Sequence, residues 1–155
     1  MAEGALCSTQ IGAPHMEVKV MSKSAIYTAN TSTQDVAING VINPGVVVRR
    51  YGPNIILAGE AIQLCGSGYY DVDASITLAP AAIGNVTVSL LKDGTPIQGA
   101  SASTTVTTAN TPVNLSISSL VREFCNCFES VSNLTFVLTG TAATISNISI
   151  VVQKI

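Results

Sequence analysis

Between residues 68 and 78 apolar and polar side chains alternate without a break. Tyr70, Val72, Ala74, Ile76 and Leu78 share one parity; Tyr69, Asp71, Asp73, Ser75 and Thr77 share the other. A period of two places the first set on one face of an extended strand and the second on the opposite face, as a half-buried antiparallel sheet requires. Such a strand cannot be satisfied alone. It needs a paired neighbour on each edge and a second apolar layer over one face.

The rest of the chain supplies partners of the same kind. Val86, Val88 and Leu90 repeat the pattern over residues 86–92, Asp93-Gly94 follows, and residues 95–98 return. Asp-Gly between two alternating runs predicts a two-residue β-hairpin, because both positions tolerate positive φ. Val113, Leu115 and Ile117 share a face over residues 111–118, as do Leu134, Phe136 and Leu138 over 134–140. The Ser- and Thr-rich stretch 101–110 favours strand through its β-branched residues. Shorter strands are expected at 46–51 and 54–58, separated by Gly52-Pro53. Helical spacing occurs at Leu120, Val121, Phe124 and Phe128, so a helical turn or two is expected within 119–130. Residues 143–155 read as a last strand apolar on both faces, with Ile148, Ile150 and Val152 on one and Ile145, Val151 and Ile155 on the other. A strand of that kind is covered twice. The opposite sheet is one cover and another subunit the simplest second, which makes Ile148, Ile150 and Val152 the expected subunit interface. Residues 1–23 keep no sustained period, although Met16, Val18 and Val20 alternate briefly, and they read either as an arm that docks to a partner or as a frayed terminus. Residues 24–155 form the domain.

Charge bounds the function. Only 10% of the 155 residues are charged, where about 25% is usual. Ser, Thr and Asn must coat the surface, or other subunits must hide part of it. A formal net charge of −2, with Arg49-Arg50 the only adjacent basic pair, argues against nucleic acid as a partner. No apolar run reaches the roughly 20 residues of a membrane span. The first 21 residues carry Glu3 and Glu17 and no continuous apolar core, so no signal peptide is expected and synthesis is expected in a cytoplasm. Cys7, Cys65, Cys125 and Cys127 do not form a disulfide framework.

Little chemistry presents itself. Cys125 and Cys127 with His15 would make a metal site only if a second spaced ligand pair existed, and none does. His15, the single histidine, lies in the arm, which leaves a nucleophile without a base. Asp71 and Asp73, with Glu60, offer oxygen ligands to Ca²⁺, but a solvated sheet face is the plainer account of them. Tyr69 beside those aspartates offers a sugar-stacking surface, with edge packing as the plainer reading. Asn30, Asn85, Asn114, Asn133 and Asn147 each open an Asn-x-Ser/Thr triplet, which chance explains in a chain this rich in Ser and Thr. No catalytic residue, metal site or cofactor is expected, and the chain is not expected to be an enzyme.

Ala25-Ile26-Tyr27 opens the domain. Glu60-Ala61-Ile62-Gln63-Leu64 leads through Gly66-Ser67-Gly68 into Tyr69-Tyr70-Asp71-Val72, then comes Leu91-Lys92-Asp93-Gly94-Thr95-Pro96-Ile97, and Ile148-Ser149-Ile150-Val151-Val152 ends the series. In that order and spacing the motifs resemble the tumour necrosis factor and complement-head jelly roll, in the short form of bacteriophage virions and bacterial surface proteins. The resemblance spans about residues 25–155. It departs in having only three Phe, four Tyr and no Trp, and in the segment 121–130 where a short turn is common. No Gly-X-Y repeat precedes the domain. The resemblance implies an all-β, two-sheet antiparallel sandwich of jelly-roll topology that forms a trimer with its last strand near the threefold axis. The function it implies is structural: a phage capsid decoration or a head or tail fibre protein, located in the virion, attached to other virion proteins through residues 1–23. The alternative is a bacterial or spore surface module that recognises glycan or protein. Homotrimer formation, other virion structural proteins and a host surface glycan or protein are the partners expected; the ligand itself is not legible.

Overall fold

A computed structural model describes residues 23–123 and 131–155. The period-two segments become strands, and they stack as two antiparallel sheets. The strands are β1 (Ala25–Asn30), β2 (Gln34–Val36), β3 (Val46–Tyr51), β4 (Ile55–Ala58), β5 (Ala61–Leu64), β6 (Gly68–Pro80), β7 (Gly84–Lys92), β8 (Thr95–Val106), β9 (Val113–Glu123), β10 (Ser132–Thr139) and β11 (Ala143–Lys154). The first sheet is ordered β3-β1-β11-β6-β9, with β2 on β11; the second is ordered β4-β5-β10-β7-β8. Consecutive strands change sheet repeatedly, which is jelly-roll winding. Gly52-Pro53 is one such crossing, since β3 and β4 lie in different sheets.

The core is what the alternation dictates. Tyr70, Val72, Ala74, Ile76 and Leu78 of β6 are buried, facing Val86, Val88 and Leu90 of β7 and Leu134, Phe136 and Leu138 of β10 in the same hydrophobic cluster. Burial of each large aliphatic side chain contributes about 1.5–3 kcal/mol relative to leaving it exposed. Asp93 and Gly94 take φ values of +53° and +83°, the two positive values that a tight hairpin turn needs. Asp93 is also pinned to β10: its amide donates to the Asn133 carbonyl at 2.9 Å, and its Oδ1 accepts the Asn133 amide at 2.9 Å.

Three expectations need correction. No helical turn begins at residue 119, because β9 runs on to Glu123 in register with β6, from Leu78↔Val113 to Gly68↔Glu123. Val121 and Glu123 are buried while Leu120 and Arg122 point out, so the alternation simply continues. The long β6 offers backbone partners over the whole length, which outweighs a local helical spacing. Residues 124–130 of that segment lie outside the described residues.

The second correction concerns the last strand. The register of β11 against β6 shifts between Ile145 and Asn147. The extra residue turns Ile145 to the same side as Ile148, and both are fully buried. Of the supposed second apolar face only Val151 remains within the strand, with Ile155 beyond its end.

The third correction follows. Ile148, Ile150 and Val152 have 0% exposure within a single chain, because they face the opposite sheet. They are core residues, and their side chains offer nothing to a second subunit.

Candidate functional site

What β11 does present outward is Ser149, Val151 and Gln153, in the middle of the first sheet's outer face. The pairing registers lay that face out in rows. One row reads Arg49, Tyr27, Val151, Asp73 and Ser118 across β3, β1, β11, β6 and β9. The next reads Tyr51, Ala25, Gln153, Asp71 and Leu120. Beyond it Tyr69 pairs with Arg122. Along the strands in the other direction the rows turn small and polar, with Ser149, Ser75 and Ser116, then Asn147, Thr77 and Asn114. Asn114 Nδ2 donates to Ser75 Oγ at 3.2 Å and to Thr77 Oγ1 at 3.0 Å, tying that zone together.

The two halves therefore differ in kind. The small, polar half is cross-linked through Asn114. The other half exposes Tyr27 (39%), Tyr51 (56%), Tyr69 (45%) and Leu120 (56%), in a chain with few aromatics in all. Ala25, Ile26, Tyr27, Arg49, Arg50, Tyr51 and Val151 line a shallow hollow there, of about 120 Å³. Arg50 is tied inward, with Nε donating to the Ile55 carbonyl at 2.8 Å. Large apolar patches left open on a folded domain mark interaction surfaces.

At the end of the sandwich near residue 24 lies a polar cluster that holds the sheets together. The Ser24 hydroxyl donates to Asn54 Oδ1 and accepts the Asn54 amide, both at 3.0 Å. Asn54 Nδ2 donates to the Cys65 carbonyl at 2.6 Å. The buried Tyr70 hydroxyl donates to the Gly66 carbonyl at 2.7 Å. Burial, then the charge of Glu123 and then Cys65, raise the Tyr70 pKa well above the ordinary tyrosine range. Lys92 Nζ lies 3.4 Å from Glu123 Oε1 and donates to the Arg122 carbonyl at 2.8 Å. Burial lowers the Lys154 pKa, partly offset by Cys65. This is a structural seam, in which the Ser24, Asn54 and Tyr70 side chains tie neighbouring turns together.

The residues singled out in the sequence fall as follows. Asp71 and Asp73 do share the outer face, but Glu60 sits in the turn between β4 and β5 of the other sheet, so the three do not converge. Among the described residues no three His, Cys, Asp or Glu side chains are grouped to hold a metal ion. Tyr69 is exposed beside those aspartates, with the Arg122 guanidinium 5.7 Å from its ring centroid. Cys65 is a free, half-buried thiol. His15, Cys7, Cys125 and Cys127 lie outside the described residues. Tyr27, Arg49 and Tyr51 were not assigned to a shared surface by sequence, and Val151 was read there only as part of a second apolar face. For Arg49 and Tyr51 the available signal was β3, Val-Val-Val-Arg-Arg-Tyr, which lacks alternation.

No protein-family model matches the chain, and no curated protein matches it by sequence. Solved structures do match. The Eiger TNF of S. frugiperda aligns with a TM-score of 0.63 at 12% identity, over 86% of this chain and 92% of that one. The vertex protein P5 of phage PRD1 aligns at 0.59 with 21% identity, over 85% and 96%. The globular domain of zebrafish complement 1qA protein aligns at 0.57 with 8% identity, over 82% and 94%. Identities this low establish the fold alone. The chain is an all-β sandwich with the jelly roll of tumour necrosis factors and complement heads.

Proposed function

We propose that this chain is a non-enzymatic structural protein of a phage virion, a trimer that decorates the capsid or forms part of a head or tail fibre. The observation that carries the reading is the half-sheet of exposed Tyr27, Tyr51, Tyr69 and Leu120 on β1, β3, β6 and β9, with half-buried Val151 of β11 among them. A surface of that kind on a chain with 10% charged residues is suited to burial between copies. The likeness to the PRD1 vertex protein supports the virion setting. Residues 1–23 are the attachment to other virion proteins in this reading, and the jelly roll begins at residue 24.

Light scattering on the purified protein tests it. A mass near three times 15.9 kDa is the expected result. A monomer at every concentration would remove the role assigned to the open half-sheet. For the setting, the protein should sediment with purified particles and stay with them through washing. A surface module that binds glycan is the second reading, favoured by the exposed Tyr69 beside Asp71. In that case Tyr69→Ala should abolish retention on a glycan array and leave the oligomer mass unchanged.

A further inference from the structure

Two opposite charges on the outer face of the first sheet stand in one row, well apart. Arg49 stands on β3, the last strand at one side; Asp73 stands on β6, next to β9 at the other. Both side chains are exposed. The register nevertheless puts them in a single row, Arg49↔Tyr27, Tyr27↔Val151 and Val151↔Asp73. Three strand spacings separate them, roughly 14 Å at the usual interstrand distance, and Tyr27 and Val151 stand between. At that separation Arg49 and Asp73 do not neutralise each other within one chain. The Ser118 hydroxyl donates to Asp73 Oδ1 at 2.8 Å, which orients the carboxylate and leaves Oδ2 for a cation.

We propose that Arg49 of one copy pairs with Asp73 of the next, in a ring whose symmetry axis runs along the strands. The inference rests on the self-association proposed above and specifies its register. Rotation about an axis leaves height along that axis unchanged. With the axis parallel to the strands, each row of one copy meets the same row of its neighbour. The β3 side of one face then meets the β6–β9 side of the next, a head-to-tail contact that closes on itself. Arg49 and Asp73, being in one row, arrive at one height. An axis lying across the strands turns the strands of one copy away from those of the next, so equal rows no longer meet. The contact also buries Tyr27 and Val151 around the pair, and exclusion of water strengthens a charge pair.

The test uses the full chain and three variants, Arg49→Glu, Asp73→Arg and the double exchange, with mass followed against concentration at low and high salt. Each single reversal should raise the dissociation constant roughly tenfold or more through like-charge contact. The double exchange should restore wild-type assembly. All three should keep the wild-type circular dichroism spectrum, because both residues are exposed. Singles that assemble as tightly as wild type would overturn the register while leaving the oligomer in place. A double exchange as weak as the singles would show that the two residues do not meet. A wild-type chain that is monomeric throughout would overturn the oligomer reading and this inference together.

Discussion

Tyr70 shows how much one side chain settles here. Its ring fills the core at the end of β6, and its hydroxyl satisfies the Gly66 carbonyl. Tyr70→Phe keeps the ring and strands the carbonyl, so the folded state should lose about 1–3 kcal/mol in urea titration. The same residue sets an alkaline limit. Its pKa is raised on folding, so the folded chain holds the proton more tightly than the unfolded one. That stabilisation is complete below the ordinary tyrosine value, about 10, and is lost as pH rises above it. Lys154 works in the opposite sense, since its lowered pKa makes folding costlier while both states are charged and relieves the cost as pH climbs towards the lysine range. Comparing wild type with Tyr70→Phe isolates the tyrosine: the gap in unfolding free energy should shrink above pH 10 or so. A constant gap would mean that the hydroxyl does not titrate differently in the two states. The sequence placed Tyr70 inward and Tyr69 outward from parity alone, and the structure agrees. It could not show the Gly66 bond, because that bond closes a turn whose path no periodicity encodes.

At the scale of elements, legibility depended on how strictly a segment alternates. The strands β6, β7, β9 and β10 were read from parity, and the β7–β8 turn from Asp93-Gly94. The β11 bulge was not, because Ile145, Ile148 and Ile150 look out of phase until an extra residue is allowed between them. That one residue is why Ile150 was assigned to an interface rather than to the core. Ile150→Val therefore ought to cost about 0.5–1.5 kcal/mol in unfolding free energy and leave the oligomer's dissociation constant unchanged. Glycines at turns separate strain from collision in the same way. Gly94 has positive φ, yet a Cβ there meets nothing within 4 Å. Gly94→Ala should cost only the left-handed backbone penalty, about 1–2 kcal/mol. Gly140 also has positive φ, but its Cβ would collide with the Asn85 carbonyl oxygen. Gly140→Ala should be clearly the worse of the two by thermal melting, and equal losses would contradict the close approach of the β10–β11 turn to β7.

For the whole molecule, the fold class was legible and the proposed contact surface was not. Many alternating strands with short turns admit few architectures, and the order of motifs narrowed them to a jelly roll. The surface depends on which strands become neighbours. Tyr27, Val151 and Asp73 are far apart in sequence and adjacent only through the β1-β11-β6 order. Low charge directed attention to a face that another copy covers in the proposed assembly, but only register could say which face that is. The same separation of tasks governs the arm. Ser24 is already engaged in the fold, as its carbonyl accepts the Lys154 amide at 2.8 Å and its hydroxyl bonds Asn54. A chain cut just before Lys23 keeps those contacts and the whole open half-sheet. It should retain the oligomer mass of the full chain, scaled for the residues removed, while losing co-sedimentation with particles. Loss of the oligomer together with attachment would assign residues 1–22 to assembly rather than anchoring. Retention of both would move the attachment onto the jelly roll itself.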